Sequence, residues 1–177
     1  MALYFITGNK GKFSEAASII DDLEQIDIDL PEIQDIDAHQ IIKAKLEAAF
    51  AHHAGPFIVE DTSLYFDGLG GLPGPFIKWF LKTLGNQGLF DLVAKLGNSK
   101  AQAKTIVGYA KDKDTINFFE GAISGTIVSP KGGNGHGWDQ VFQPEGQGQT
   151  FAEMDADQKN SLSMRKIALE KLKEVLK

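Results

Sequence analysis

Four short segments of this chain carry side chains suited to chemistry on an anion. The first is Thr7-Gly8-Asn9-Lys10-Gly11-Lys12, between an apolar run and a helical pattern. Free backbone N–H groups at a helix start attract anions, glycines allow close approach, and Lys10 and Lys12 add charge. The spacing is not that of a P-loop, so the segment fits an ordinary strand-to-helix turn equally well. The second is Glu60-Asp61-Thr62-Ser63, directly after the apolar Phe57-Ile58-Val59. Adjacent carboxylates at the C-terminal end of a strand suit a hard cation such as Mg²⁺, or a general base for water. Glu32, after Pro31 at the end of another expected strand, could complete such a site. Taken alone, the same acids suit a solvated turn at least as well.

The third segment is the last helix. Its apolar stripe is Leu162, Leu169, Leu172 and Leu176, with Arg165 inside it at +3 from Leu162 and −4 from Leu169. A guanidinium on a buried face either snorkels to water or reaches a polar partner. Lys159 and Ser163, four apart, would share a neighbouring face. The fourth segment is Gly135-His136-Gly137-Trp138-Asp139. Its glycines would expose His136, Trp138 offers a flat face for a base, and Asp139 could bond the base edge. A tight turn with a core tryptophan is the better reading of that segment alone. Lys43 lies mid-helix among alanines and takes no role from its surroundings.

These residues need elements to hold them. The patterning predicts a strand at Leu3–Thr7, a helix at Lys12–Leu23, a strand at Gln25–Leu30 ended by Pro31, and a helix at Ala38–His53. A short buried strand, Phe57–Val59, follows, then a glycine- and proline-rich loop from Gly68 to Pro75. Helices are expected near Phe76–Leu84 and Gly88–Leu96, and two long strands at Ala101–Ala110 and Thr115–Val128. Trp138–Phe142 reads as a short strand. Asp155, with Gln158 three residues on, caps a final helix running to the end. Helices interleave with strands, yet the two long strands are consecutive. The expected fold is therefore α/β with a mixed sheet.

At 177 residues, 42% hydrophobic and 24% charged, the chain suits one domain spanning residues 1–177, with room for two lobes around one sheet. It has no cysteine, which excludes disulfides and thiolate metal sites. A net charge of −6 without a basic stripe argues against a nucleic-acid binder. An anionic small substrate would need its cations gathered locally. The apolar start lacks a basic leader and breaks at Gly8, and no apolar run approaches the ~20 residues that span a bilayer. The expected compartment is the cytoplasm, with no membrane partner.

Taken in order, the segments resemble the inosine triphosphate pyrophosphatase family. The match runs through Thr7-Gly8-Asn9 with Lys12, Leu30-Pro31-Glu32, Val59-Glu60-Asp61-Thr62 and Gly70–Phe80. It continues in Gly137-Trp138-Asp139, Ala152-Glu153-Met154 and Lys159–Arg165. The Gly-Gly-Leu-Pro-Gly-Pro stretch looks like the eukaryotic-type branch. The resemblance implies two lobes around a long mixed sheet with an active-site cleft between them. It implies Mg²⁺-dependent hydrolysis of deaminated purine nucleoside triphosphates (ITP, dITP, XTP) to monophosphate and pyrophosphate, by a homodimer.

By the same resemblance, Thr7, Asn9, Lys10, Lys12 and Lys43 would lie near the phosphates, with Thr62 and Ser63 also against the substrate. Glu32 and Asp61, with Glu60 beside them, would bind Mg²⁺ or activate water, and Lys12 would assist catalysis. Lys159 would contact the nucleotide. His136, Gly137, Trp138, Asp139, Ser163, Met164 and Arg165 would face the base, Arg165 donating to the purine O6. Two positions depart from the family pattern. Met164 stands where histidine is usual, and His136 where phenylalanine is usual. A thioether cannot donate to O6, and losing that bond would remove roughly 1–3 kcal/mol of discrimination. Two alternatives follow: a pyrophosphatase of shifted base preference, and a nucleotide-binding regulator without turnover.

Overall fold

A short apolar strand, β1 (Leu3–Ile6), lies between two parallel neighbours, β2 (Leu23–Ile26) and β3 (Phe57–Phe66), in the computed structural model, which describes residues 2–177. Helix α1 (Lys10–Ala17) links β1 to β2, and α2 (Ala38–Ala49) precedes β3. The two-residue β4 (Pro73–Gly74) pairs antiparallel with β3. Then come α3 (Ile77–Leu96), β5 (Lys100–Ala110), β6 (Ile116–Ile127) and β7 (Phe142–Pro144), the last antiparallel to β6. Helices α4 (Ala156–Leu162) and α5 (Met164–Leu176) close the chain. The seven strands form one sheet in the order β2-β1-β3-β5-β6-β7, with β4 on β3. Parallel and antiparallel pairs share it, so the fold is mixed α/β, as the patterning implied.

The described residues divide into two compact units. The first comprises residues up to Asp61, Thr105–Gly121 and Met164–Lys177. Its strands are buried on both faces, and side-chain alternation along them sorts the core in two. Leu3 and Phe5 of β1, Ile58 of β3 and Val107 of β5 pack with Ala16 of α1 and Ala168, Leu169 and Leu172 of α5. Ile6, Phe57, Val59, Ile106 and Ala110 pack with Ala38, Ile42, Leu46 and Ala49 of α2. Two glycines allow the helices to approach this closely. A Cβ on Gly108 would stand 2.3 Å from Ile42 Cγ2, and one on Gly121 would stand 1.9 Å from the Met164 carbonyl. The start of α5 thus presses on bare backbone of β6.

The second unit comprises Thr62–Lys104 and Ala122–Ser163. Its core includes an aromatic trio: Trp138 meets Phe142 edge-on at 5.5 Å, and Phe142 lies 5.4 Å from Phe151. Two capping boxes, Thr150 with Glu153 and Asp155 with Gln158, satisfy helix-start amides. The second is the box expected at the final helix.

Several boundaries differ from the sequence reading, each for a local reason. Helix α1 stops at Ala17, not Leu23; Asp22 adopts a left-handed φ of 54°, which no helix accommodates. Strand β2 ends at Ile26, level with the last residue of β1, because past it there is no partner to bond. Strand β3 extends well beyond Val59, so Glu60–Ser63 lie inside a strand and not at its end. Trp138 sits in a turn, and the β7 strand starts at Phe142. The expected pair of helices before β5 is present, for α3 breaks at Gly85, whose φ of 67° and ψ of 176° only glycine adopts readily. The last helix is likewise two. Ser163, buried and extended (φ −69°, ψ 146°), separates α4 from α5, so Lys159 and Ser163 do not share a helical face. Among the described residues no helix is long and apolar enough to cross a membrane.

Candidate active site

The alternation of β3 decides what its two acids do. Ile58 faces α1 and α5, so Glu60, two residues on, faces the same side. Phe57 and Val59 face α2, and so does Asp61. The adjacent carboxylates are therefore not a pair; they leave opposite faces of one strand. Strand β1 pairs with β3 through Phe5 and Ile58. Extending that register brings Thr7 level with Glu60, where β1 has ended and the turn into α1 begins.

On the first face, Glu60 is buried and Arg165 grips it from α5. Arg165 Nε donates to Glu60 Oε2 at 2.6 Å and Nη2 to Oε1 at 3.1 Å. Arg165 Nη1 donates to Glu15 of α1, also buried. Lys12 Nζ lies 2.8 Å from Glu60 Oε1, on a side chain 30% exposed. The chain of charges Glu15–Arg165–Glu60–Lys12 thus runs from the core outwards and ends at a partly open ammonium. Buried charges are tolerated only when paired in this way. Burial pushes the Glu60 carboxyl up, but the charges of Arg165 and then Lys12 outweigh it and bring it from 4.5 down to about 2. Burial also works against the Arg165 charge; Glu60 and then Glu15 overcome it and raise the guanidinium above its ordinary range.

This has a consequence for acid stability. The folded value of Glu60 lies below its unfolded value, so its ionised form stabilises the fold. That contribution is complete above about pH 5 and is lost as pH falls towards 2. Glu60→Gln should therefore be markedly less stable than the parent at neutral pH. The gap should narrow by on the order of 3 kcal/mol towards pH 2. Urea unfolding midpoints of both proteins at about pH 7, 4 and 3 measure it; a gap independent of pH would contradict the assignment.

On the second face, Lys45 of α2 is the hub. Its Nζ donates to the Glu60 carbonyl at 3.2 Å and to Asp61 Oδ1 at 3.4 Å, and lies 3.6 Å from Glu32 Oε1. Lys45 is buried because α2 buries Ala38, Ile41, Ile42, Lys45, Leu46 and Ala49, one helical stripe. Lys43 belongs to the opposite face and is exposed. The cation beside Glu32 and Asp61 is thus Lys45, while Lys43, which the resemblance put near the phosphates, lies outside this cluster. The signal was legible: Lys45 is +4 from Ile41 and +3 from Ile42, the same anomaly that singled out Arg165.

A pocket opens between these groups, lined among others by Thr7, Gly8, Asn9, Lys12, Glu32, Lys45 and Glu60. Asn9 caps α1, its Oδ1 accepting from the Lys12 N–H at 3.1 Å, while Thr7 Oγ1 accepts from the Asn9 N–H at 3.1 Å. Gly8 approaches Asp27 so closely that a Cβ would stand 2.9 Å from Asp27 Oδ1. Lys10 is exposed and is not part of the lining.

The base-loop candidates lie in the second unit. Asp139 is buried, its Oδ2 accepting from the His136 N–H at 2.7 Å and from Lys159 Nζ. Gly135 and Gly137 both have positive φ, and His136 between them is exposed. Trp138 is 9% exposed and packed on Phe142 and Phe151, so it supports the loop and offers no open face. Thr62 and Ser63 lie on β3, Ser63 buried. Met164 is buried at 4% exposure. Arg165 turns into the protein onto two carboxylates, which take three of its five N–H donors.

The residues that could hold a divalent cation are Glu32 and Asp61. Both are oxygen donors drawn together by Lys45, and Mg²⁺ is typically held by one or two carboxylates with substrate phosphates completing its shell. No group of three or more His, Cys, Asp or Glu able to hold a metal alone occurs among the described residues. Glu60, the third expected ligand, has its oxygens on Arg165 and Lys12.

Residues 3–175 match the model of the Ham1 family. The chain belongs to that family. An inosine triphosphate pyrophosphatase of Schizosaccharomyces pombe is 41% identical, covering 99% of this chain and 95% of the relative. One from Yarrowia lipolytica is 43% identical, covering 98% and 94%. A HAM1 protein from Coxiella burnetii has the same Ham1 fold, with a TM-score of 0.86 over 99% of this chain and 98% of its own at 22% identity. These two curated relatives are fungal, in keeping with the eukaryotic-type Gly-Gly-Leu-Pro-Gly-Pro stretch.

Proposed function

We propose that this Ham1-family protein hydrolyses deaminated purine nucleoside triphosphates (ITP, dITP, XTP) to the monophosphate and pyrophosphate, clearing them from the nucleotide pool. The observation that carries the reading is the gathering of Lys12, Lys45 and Glu32 about one pocket, with Asp61 paired to Lys45. Two cations collected locally answer the question raised by a net charge of −6. Relatives 41–43% identical are inosine triphosphate pyrophosphatases, which supports the same substrate class.

In this reading Lys12 and the N-terminal end of α1 take phosphate oxygens, with Thr7 at the pocket wall. Lys45 takes charge from the phosphates and holds Glu32 and Asp61 in place. Glu32 and Asp61 hold Mg²⁺, which supplies charge neutralisation and orientation of the phosphates when bound. Asp61 accepts the proton of a water whose oxygen attacks the α-phosphorus. The bond from that phosphorus to the bridging oxygen breaks, and pyrophosphate leaves with the electron pair. Glu60 and Arg165 position Lys12. Thr62 and Ser63 support the strand beside Asp61, and Lys159, Asp139 and Ser163 hold the nucleoside end. His136 stacks on the base, or donates to it in place of the histidine that Met164 replaces. The protein acts as a cytoplasmic homodimer.

The position of attack is testable directly. Turnover of ITP in ¹⁸O-water should place the label in the monophosphate, as read by mass spectrometry. Label found in pyrophosphate would mean attack at the β-phosphorus and would overturn the assigned chemistry.

A further inference from the structure

The loop assigned to the base is held from outside by one side chain that the proposed mechanism leaves unused. Asn86 is the first residue after the Gly85 break in α3. Its Nδ2 donates to the Gly137 carbonyl at 3.0 Å and to Gln140 Oε1 at 3.2 Å. Gln140 Nε2 passes the connection on to the Gly132 carbonyl at 3.3 Å. One carboxamide thus holds the turn that carries His136 and Asp139 at its middle, Gly137, and at its end, Gln140.

The turn is tied elsewhere at Asn134 and Asp139, to Ala152 and Lys159, and Asn86 adds the bond at Gly137. Gly132, Gly135 and Gly137 all have positive φ, and glycine is the residue with most backbone freedom to lose. His136 is exposed and adds no packing. Within the loop, the His136 and Asp139 amides bond only the loop's own atoms. The orientation of the carboxamide is fixed by its surroundings. Turned over, it would set an oxygen against two acceptors, the Gly137 carbonyl and Gln140 Oε1. As it stands, Asn86 Oδ1 is buried without a partner, an arrangement that works against stability. A buried acceptor left unmet while the amide nitrogen makes two bonds is what a residue kept for those two bonds would show.

We propose that Asn86 is a positioning residue for base recognition, acting through the Gly137 carbonyl and Gln140 to hold His136 and Asp139 in their binding geometry. This rests on the assignment of the 135–139 loop to the base. Asn86 touches no reacting atom, so its removal should act on KM and selectivity more than on kcat.

The test compares Asn86→Ala and Asn86→Asp with the parent, and with Gln87→Ala as a neighbour outside this network. Hydrogen exchange of the amides of residues 136–140 should quicken at least about tenfold in both variants. KM for ITP should rise roughly tenfold, and the preference for ITP over ATP should fall by a similar factor, with kcat changing less. Asn86→Asp should be the more severe, because it places an anion against two acceptors. Gln87→Ala should match the parent throughout. Loop exchange unchanged in both variants would overturn the proposal, as would a faster loop with KM and selectivity unchanged. A parent inactive on every triphosphate would count against the proposed activity instead, and the exchange measurement would still decide whether Asn86 holds the loop.

Discussion

Asp61→Asn should lower kcat for ITP by roughly 10³-fold while the protein stays folded. The carboxylate leaves the α2 face of β3, beside Lys45 and away from the buried Glu15–Arg165–Glu60 chain. An amide there keeps the size of the side chain but cannot accept a proton from water. Because Asp61 does not take part in the buried chain, its loss should leave the urea midpoint nearly unchanged. Steady-state rates with saturating ITP and Mg²⁺, alongside an unfolding curve, give both quantities. A variant with near-parental turnover would remove Asp61 from the chemistry. A variant that loses activity by unfolding would instead make Asp61 a structural residue.

Lys45→Ala should be nearly as severe, and Lys43→Ala should be almost silent. Lys45 is the cation that holds Glu32 and Asp61 within 3.6 Å and 3.4 Å of one ammonium. Without it two carboxylates face a polyanionic substrate with one cation fewer. The expected loss in kcat/KM is on the order of 10²–10³-fold, the scale seen when one preorganised electrostatic group is removed. Lys43, exposed on the far face of the same helix, should change kcat/KM by no more than about twofold. Equal effects of the two substitutions would mean that the pocket described here is not where the phosphates bind.

Much of this was legible in the sequence because it rests on local rules. The Asp155–Gln158 capping box and the Thr7–Lys12 turn depend on residues within a few positions of one another, and the paired long strands on alternation either side of one short turn. Arg165 announced itself as a charge inside an apolar stripe, and Lys45 carried the same signal in α2. Other features depend on partners far along the chain and leave no local trace. Glu60 and Asp61 looked like a pair because β3 was expected to end at Val59; once it continues, alternation separates them. The partners of Arg165 are 105 and 150 residues away, so its turn into the protein could not be seen from α5 alone. Asn86 meets Gly137 across 51 residues, and nothing around it marks that contact.

The central claim is an activity, and one assay bears on it most directly. ITP, XTP, dITP, GTP, ATP and UTP are each incubated with the protein, with and without Mg²⁺, and the products separated by chromatography. The expected result is IMP and pyrophosphate from ITP, and the matching products from XTP and dITP, only with Mg²⁺, and with ATP, GTP and UTP almost untouched. Turnover of ATP or GTP at rates comparable to ITP, release of orthophosphate instead of pyrophosphate, or no product from any triphosphate would contradict it.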